Sequence, residues 1–509
     1  MKRNLVAENA GELSPLPDRL PITVEARVGE IEFRRGLPTR SGLDKIHEIQ
    51  DFQRACQLYQ WAIPAVGVMG WHKASQVNGA TRSTDWVVFD DAAARSGLLT
   101  PETQVAYVLA FPDLHEAGPL LLEYCAGRIS GCVMDYWQRP VADFGYTGPE
   151  KGATAGRLLI VGPGQRVPDG AECRAAFSST RVAMVMYRVL SRPEIDRYIP
   201  HNRLYPFAER AAPPRPHVVW ARKAFTQSQP RGLAYWEWLH ELIQREPAQE
   251  RDRLFLGMLR SLGIEKGSAF EPDERSRRIL IDATTLGEQM TRALTSDRRK
   301  PSPLYQTESR WQLAAQLEPD QRQPCYDEFD ERTDFFYRCV GSPHLAALAL
   351  PGIRCLCLCT FKDLDGDWLD GALSYRLRLP PVQAPREFWS IALYDLDART
   401  LLMPDSARAE IHRNSENLRS NPDGSVDMFF GPVAPEGAEN NWLETRPGRS
   451  WYPLLRLFAP AGMPRDVPWP IADLEKVRSP LMSWWSTLAR PARRLRAAVP
   501  ASRPREKLP

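Results

Sequence analysis

Apolar and polar positions alternate over much of residues 366–469. Tyr375, Leu377 and Leu379 fall on one side and Arg376 and Arg378 on the other, because successive side chains of a strand point to opposite faces. Trp389, Ile391 and Leu393 repeat the pattern. So do Val426, Met428 and Phe430 after the turn signal Asn421-Pro422-Asp423-Gly424, and Leu455 and Leu457 further on. This region is predicted to be a β-domain.

Short apolar runs at 85–90, 104–111, 119–124, 129–137 and 157–161, separated by Gly, Pro and Asp, predict a second β-domain. One more strand is expected over 22–27. Before the second domain, Ile46, Ile49, Phe52, Cys56 and Tyr59 recur at three- and four-residue steps, which predicts a helix over 44–59 that ends before Pro64. Residues 192–232, rich in Pro and Arg, read as a linker over the surface. Helices are expected at 233–245 and 251–262, broken at Pro247, and at 331–340. Another starts near Pro272 with the stripe Ile279, Ala283, Leu286, Met290 and Ala293. The fold class is therefore mainly β with α, an α+β multidomain chain. The expected divisions are an arm (1–43), an N-terminal β-domain with a leading helix (44–191), the linker (192–232), a helical connector (233–345), a C-terminal β-domain (346–477) and a basic tail (478–509).

Composition adds limits. The 509 residues, 43% hydrophobic and 25% charged, are those of an ordinary globular protein, and a net charge of +3 gives no reason to expect nucleic acid. Nine cysteines in unpaired spacings and an opening Met-Lys-Arg-Asn without an apolar run point to a reducing cytoplasm. The tail is the exception. It pairs Trp484 and Trp485 with a basic cluster including Arg493, Arg494 and Arg496, a pattern suited to weak peripheral contact with an anionic membrane, although Pro480, Pro491, Pro500 and Pro504 keep any helix short.

Several ordered motifs resemble a known family. Phe361 to Gly371, Tyr375-Arg-Leu-Arg-Leu-Pro380, Phe388-Trp-Ser-Ile-Ala-Leu-Tyr-Asp395, Asn421 to Ser425, Asn441-Trp-Leu443 and Leu455-Arg-Leu-Phe-Ala-Pro460 are similar to the bacterial domain of unknown function numbered twelve-fourteen. Upstream, Thr100-Pro101, Tyr107, Asp113-Leu114, Gly118-Pro119, Gly127-Arg128, Asp135-Tyr136 and Leu158 to Pro163 resemble its N-terminal companion, numbered twelve-fifty-four. The resemblance implies two β-sandwich or jelly-roll-like domains joined by a helical segment, with no agreed activity or cofactor. One motif departs from it. Where the family shows an Asn-x-Asp-Thr-x-Tyr cluster, Glu102, Gln104 and Val105 stand here, and Tyr107 alone remains.

Catalytic motifs are missing: there is no GxSxG, no His-Glu-x-x-His and no complete phosphate loop around Gly162-Pro163-Gly164, which reads as a turn. Asp363, Asp365, Asp367 and Asp370 read as an acidic hairpin turn rather than a calcium loop, since the terminal Glu is missing. Cys355, Cys357 and Cys359 read as one face of a buried strand. No metal or cofactor is expected. Arg456 and Asp135 interrupt apolar strands and demand partners if buried. With Tyr107, Tyr136, Asn441 and Trp442 they form the candidate ligand-binding set. The expectation is a small or moderately apolar ligand held in a β-domain pocket or inter-domain cleft. The alternatives are an interaction protein whose β-domains oligomerise, and an enzyme of undetermined reaction class.

Overall fold

The computed structural model describes residues 23–26, 29–90, 97–149, 154–297, 309–314, 317–343, 348–350, 353–381, 388–402, 408–460 and 471–477. Its architecture is mixed, with two pairs of β-sheets and a layer of helices. In the N-terminal pair, the larger sheet runs in the order Val218–Trp220, Trp86–Phe89, Ala106–Ala110, Ala183–Val189, Ile129–Asp135 and Pro140–Gly145. The smaller runs Arg174–Phe177, Gly156–Val161, Leu120–Tyr124 and Arg203–Pro206. Val88, Val108 and Val185 of the larger sheet share an apolar layer with Leu120, Leu122 and Ile160 of the smaller. The alternate residues Val87, Leu109 and Met184 enter a second core with the helices. A sheet buried on both faces accounts for the nearly continuous apolar runs of these strands.

All the strands expected here are present. The structure adds Pro140–Gly145, Arg174–Phe177 and Ala183–Val189. Residues 192–232, expected to be a linker, supply Arg203–Pro206 and Val218–Trp220, one edge strand to each sheet. Strands this short carry too few alternations to be read from pattern alone.

The largest correction concerns Pro64. The expected helix does not stop before it but runs unbroken over Arg40–Val77, and residues 55 to 71 are buried almost throughout. Proline inside a helix removes one backbone donor and crowds the preceding turn, at a cost of about 3 kcal/mol. Here the helix Phe329–Arg338 supplies a polar partner. Arg332 Nη1 donates to the carbonyl of Trp61 at 2.8 Å, while the Thr333 hydroxyl, which donates to Phe329 O at 2.7 Å, lies 3.5 Å from the carbonyl of Gln60. A neighbouring helix thus serves the turn that the proline disrupts. The Thr39 side chain caps the start, accepting from the Gly42 amide at 3.2 Å.

Leu233–Arg245, Arg253–Ser261 and Glu274–Ser296 pack around the long helix. The buried stripe of Glu274–Ser296 differs from expectation: Leu286 and Met290 are exposed, while Gly287, Glu288 and Thr291 face inward. Close approach explains the shift, since a Cβ at Gly287 would lie 2.7 Å from the Tyr59 ring.

The C-terminal pair consists of a sheet ordered Gln312–Leu313, Ile353–Cys359, Trp451–Pro460, Phe388–Asp395 and Glu410–His412, with Leu348–Leu350 beside the second strand, and a sheet ordered Trp442–Glu444, Val426–Gly431, Ser374–Leu379 and Glu475–Val477. Tyr375, Leu377, Leu379, Met428 and Phe430 meet Trp389, Ile391 and Leu455 in a common core. The period-two faces read from the sequence are those observed. No helix among the described residues is long and apolar enough to cross a membrane.

Candidate functional site

Strand register builds one wall of a cleft between the two sheet pairs. Cys357 is paired with Arg456, Arg456 with Ser390, and Ser390 with His412, so these four residues form a row across adjacent antiparallel strands. Register partners project to the same face, and neighbouring strands lie about 4.8 Å apart. A second row, Cys355, Phe458 and Phe388, lies one pleat repeat away. The opposite wall comes from the Ala106–Ala110 and Ala183–Val189 strands through Tyr107, Met186 and Arg188, from the loop at 98–105, and from Trp71 on the long helix. The cleft encloses about 470 Å³.

Arg456 is 5% exposed and joins the two walls. Its Nη2 donates to the Tyr394 hydroxyl at 2.9 Å and to the carbonyl of Thr100 at 3.3 Å. The residue is thus buried and has the partners that a charge inside an apolar run demands. Burial works against its charge, but Tyr394, Glu102, Glu410 and Cys357 nearby outweigh it and raise the pKa above that of an ordinary arginine. Thr100 itself has φ +40°, an uncommon backbone state for a β-branched residue. It is held there by its amide on Arg399 O at 2.9 Å and its hydroxyl on Arg338 O at 2.9 Å. Strain of this kind persists where the surroundings over-determine the conformation.

Cys355 and Cys357 Sγ lie 3.8 Å apart. Their hydrogen bond, with Arg456 and Arg188 close by, holds the Cys357 pKa below the usual thiol value against the effect of burial, while the same bond and burial push Cys355 up. Tyr107 accepts from the Glu102 amide at 2.9 Å, and burial raises its pKa to about 12. The Thr103 hydroxyl donates to Glu410, which ties the loop at 98–105 to the strand Glu410–His412.

Tyr107 and Arg456 therefore come together in the cleft, and the other sequence candidates lie elsewhere. Asp135, 1% exposed, accepts from the amides of Trp137 and Arg139 at 2.8 and 2.9 Å and from Ser179 Oγ at 2.5 Å, which fixes the turn after its strand. Tyr136 packs under Arg245 and bonds His72 at 3.1 Å, in the helix-facing core. Asn441 accepts from Arg419 N at 2.9 Å and donates to the carbonyls of Arg419 and Asp427 at 2.8 and 2.9 Å. Trp442 donates to Gly431 O at 2.9 Å. These two bind a loop to the far C-terminal sheet.

Asp363, Asp365 and Asp367 gather around the ammonium of Lys476 at 3.0, 3.1 and 2.5 Å. The acidic turn thus has a cation from its own chain. The tail residues Trp484, Trp485, Arg493, Arg494 and Arg496 lie outside the described residues.

Pattern reading missed Trp71, Arg188, Ser390 and His412. Trp71 lay beyond the helix end assumed at Pro64, and His412 stands on a three-residue strand.

Residues 87–203 match the family described as Protein of unknown function (DUF1254), and residues 355–462 match Protein of unknown function (DUF1214), in the tandem order implied by the motifs. No curated protein matches the chain. Among solved structures, the VPA0106 protein from Vibrio parahaemolyticus is similar over 84% of this chain and all of its own, with a TM-score of 0.50 at 14% identity, which shows a shared fold. A putative uncharacterized protein from Burkholderia cenocepacia covers 86% of this chain and 97% of its own at 10% identity, with a TM-score of 0.34.

Proposed function

We propose that this tandem pair of domains binds a small, moderately apolar molecule in the cleft between its two pairs of sheets, each pair read as a β-sandwich. The observation that carries the reading is the cleft itself. Its volume of about 470 Å³ lies within the usual range of ligand pockets. Trp71, Leu99, Met186, Phe335, Leu454 and Phe458 supply apolar walls, and a few buried polar side chains interrupt them. Such a lining stabilises an apolar body by removing it from water and orients it through hydrogen bonds. The positions of the departed Asn-x-Asp-Thr-x-Tyr motif, Glu102, Gln104, Val105 and Tyr107, all line this cleft. Binding without turnover follows if the missing carboxylate at position 104 is the one that chemistry would need.

The test is a thermal-shift screen of the full chain with small aromatic and aliphatic molecules, repeated on Gln104→Trp, which places an indole at the exposed rim. The expected result is a set of molecules that raise the melting temperature of the parent and lose that effect in the variant. A screen in which no molecule stabilises the parent, or in which the variant responds equally, contradicts the reading.

A further inference from the structure

Among the described side chains lining the cleft, Trp71 Nε1, Gln227 Nε2, Arg456 Nη1 and His412 Nδ1 are buried nitrogens without a hydrogen-bond partner. The first three are obligate donors, and the fourth donates in one tautomer or when protonated. A buried donor without a partner costs about 1–3 kcal/mol, so this set is selective for a ligand rich in acceptors.

The charges point the same way. Arg128, Arg188, Arg338 and Arg456 line the cleft against one carboxylate, Glu102. Arg188 has Glu102 at 3.8 Å, and Arg338 is held by Asp334 at 3.0 Å. Arg456 differs from both. Among the described residues no carboxylate comes within the 4.0 Å of an ion pair; its partners are the Tyr394 hydroxyl and the Thr100 carbonyl. Glu410, the acid on the neighbouring edge strand, accepts from Thr103 instead. Arg456 thus makes no ion pair of its own, and an entering carboxylate can take a charge-assisted hydrogen bond from it.

We infer that the cleft ligand is an organic carboxylate, its head group paired with Arg456 and its apolar body lying between Trp71, Met186 and Phe458. The inference rests on the cleft reading above and adds the sign of the ligand's charge. Nη2 is committed to the two walls, and Nη1 is buried without a partner, which leaves room for a small acidic group only. Charge-assisted bonds are stronger than neutral ones, so the acid gains over a neutral molecule of the same shape.

The experiment is calorimetric titration of the full chain with octanoate, cinnamate and hydrocinnamate, each beside its own primary amide. The expected result is that at least one acid binds about tenfold or more tightly than its amide. Arg456→Met should bring that acid down to the level of its amide. Equal affinity of acid and amide in the parent overturns the carboxylate assignment and leaves the cleft reading standing. Binding of neither by the parent overturns both. The parent comparison needs no variant, and Arg456→Lys, which keeps the charge, supplies a second check by retaining a preference for the acid.

Discussion

Arg456 and Tyr394 share a hydrogen bond of 2.9 Å, and the Tyr394 hydroxyl in turn donates to the carbonyl of Pro101 at 2.7 Å. One phenol on the C-terminal sheet therefore positions both the cleft's buried cation and the loop that forms its opposite wall. Tyr394 is fully buried, so neither partner has water as a substitute.

Tyr394→Phe removes the hydroxyl and leaves a carbonyl and a guanidinium nitrogen short of a partner. The expected loss of stability is about 1–3 kcal/mol, read from the midpoint of urea unfolding at constant m. A change below about 0.5 kcal/mol, the range of an ordinary surface substitution, would show that the bridge does not hold the walls together.

Cys357 should alkylate at a lower pH than an ordinary thiol, because its lowered pKa keeps the reactive thiolate present as the pH falls. Cys355 shifts the other way and should lag behind it. Replacing Cys355 by Ala removes the main cause of the shift, so the pH midpoint of Cys357 labelling by iodoacetamide should rise. Peptide mapping that finds both thiols reacting in parallel would contradict the assignment.

Asp397 is tied to Arg231 at 2.7 Å and also contacts Arg292. Although burial opposes it, these arginines lower its pKa from 3.8 to about 2. A depressed folded pKa means that the contribution is complete above about pH 4 and lost as the pH falls through about 2. The stability gap between the parent and Asp397→Asn should therefore shrink over that interval. Because the carboxylate is half exposed, salt should narrow the gap near neutral pH as well. A gap constant with pH would assign the effect to packing.

Much of the fold was legible because sheet faces write themselves as alternation: the buried Tyr375, Leu377 and Leu379 and the outward Arg376 and Arg378 were readable directly. Arg456 was legible for the same reason, as a charge within an apolar run. What pattern cannot supply is register. The row Cys357, Arg456, Ser390 and His412 draws on four strands separated by long connections, and only pairing shows that they share one wall. Pro64 misled through a local rule that tertiary contacts overrode: Arg332, some 270 residues away, donates to a carbonyl of the turn that the proline disrupts. Asp135 was rightly expected to need partners, but the amides of its own turn supply them, while Asn441 is engaged by the carbonyls of Arg419 and Asp427 rather than facing the cleft.

The most direct measurement is a crystal structure of the full chain soaked with the small molecules that raise its melting temperature. Ligand density is expected in the cleft between the two pairs of sheets, against Trp71 and Phe458 and within hydrogen-bond reach of Arg456. Density confined to other surfaces, with the cleft holding only solvent at ligand concentrations that saturate the thermal shift, would contradict it.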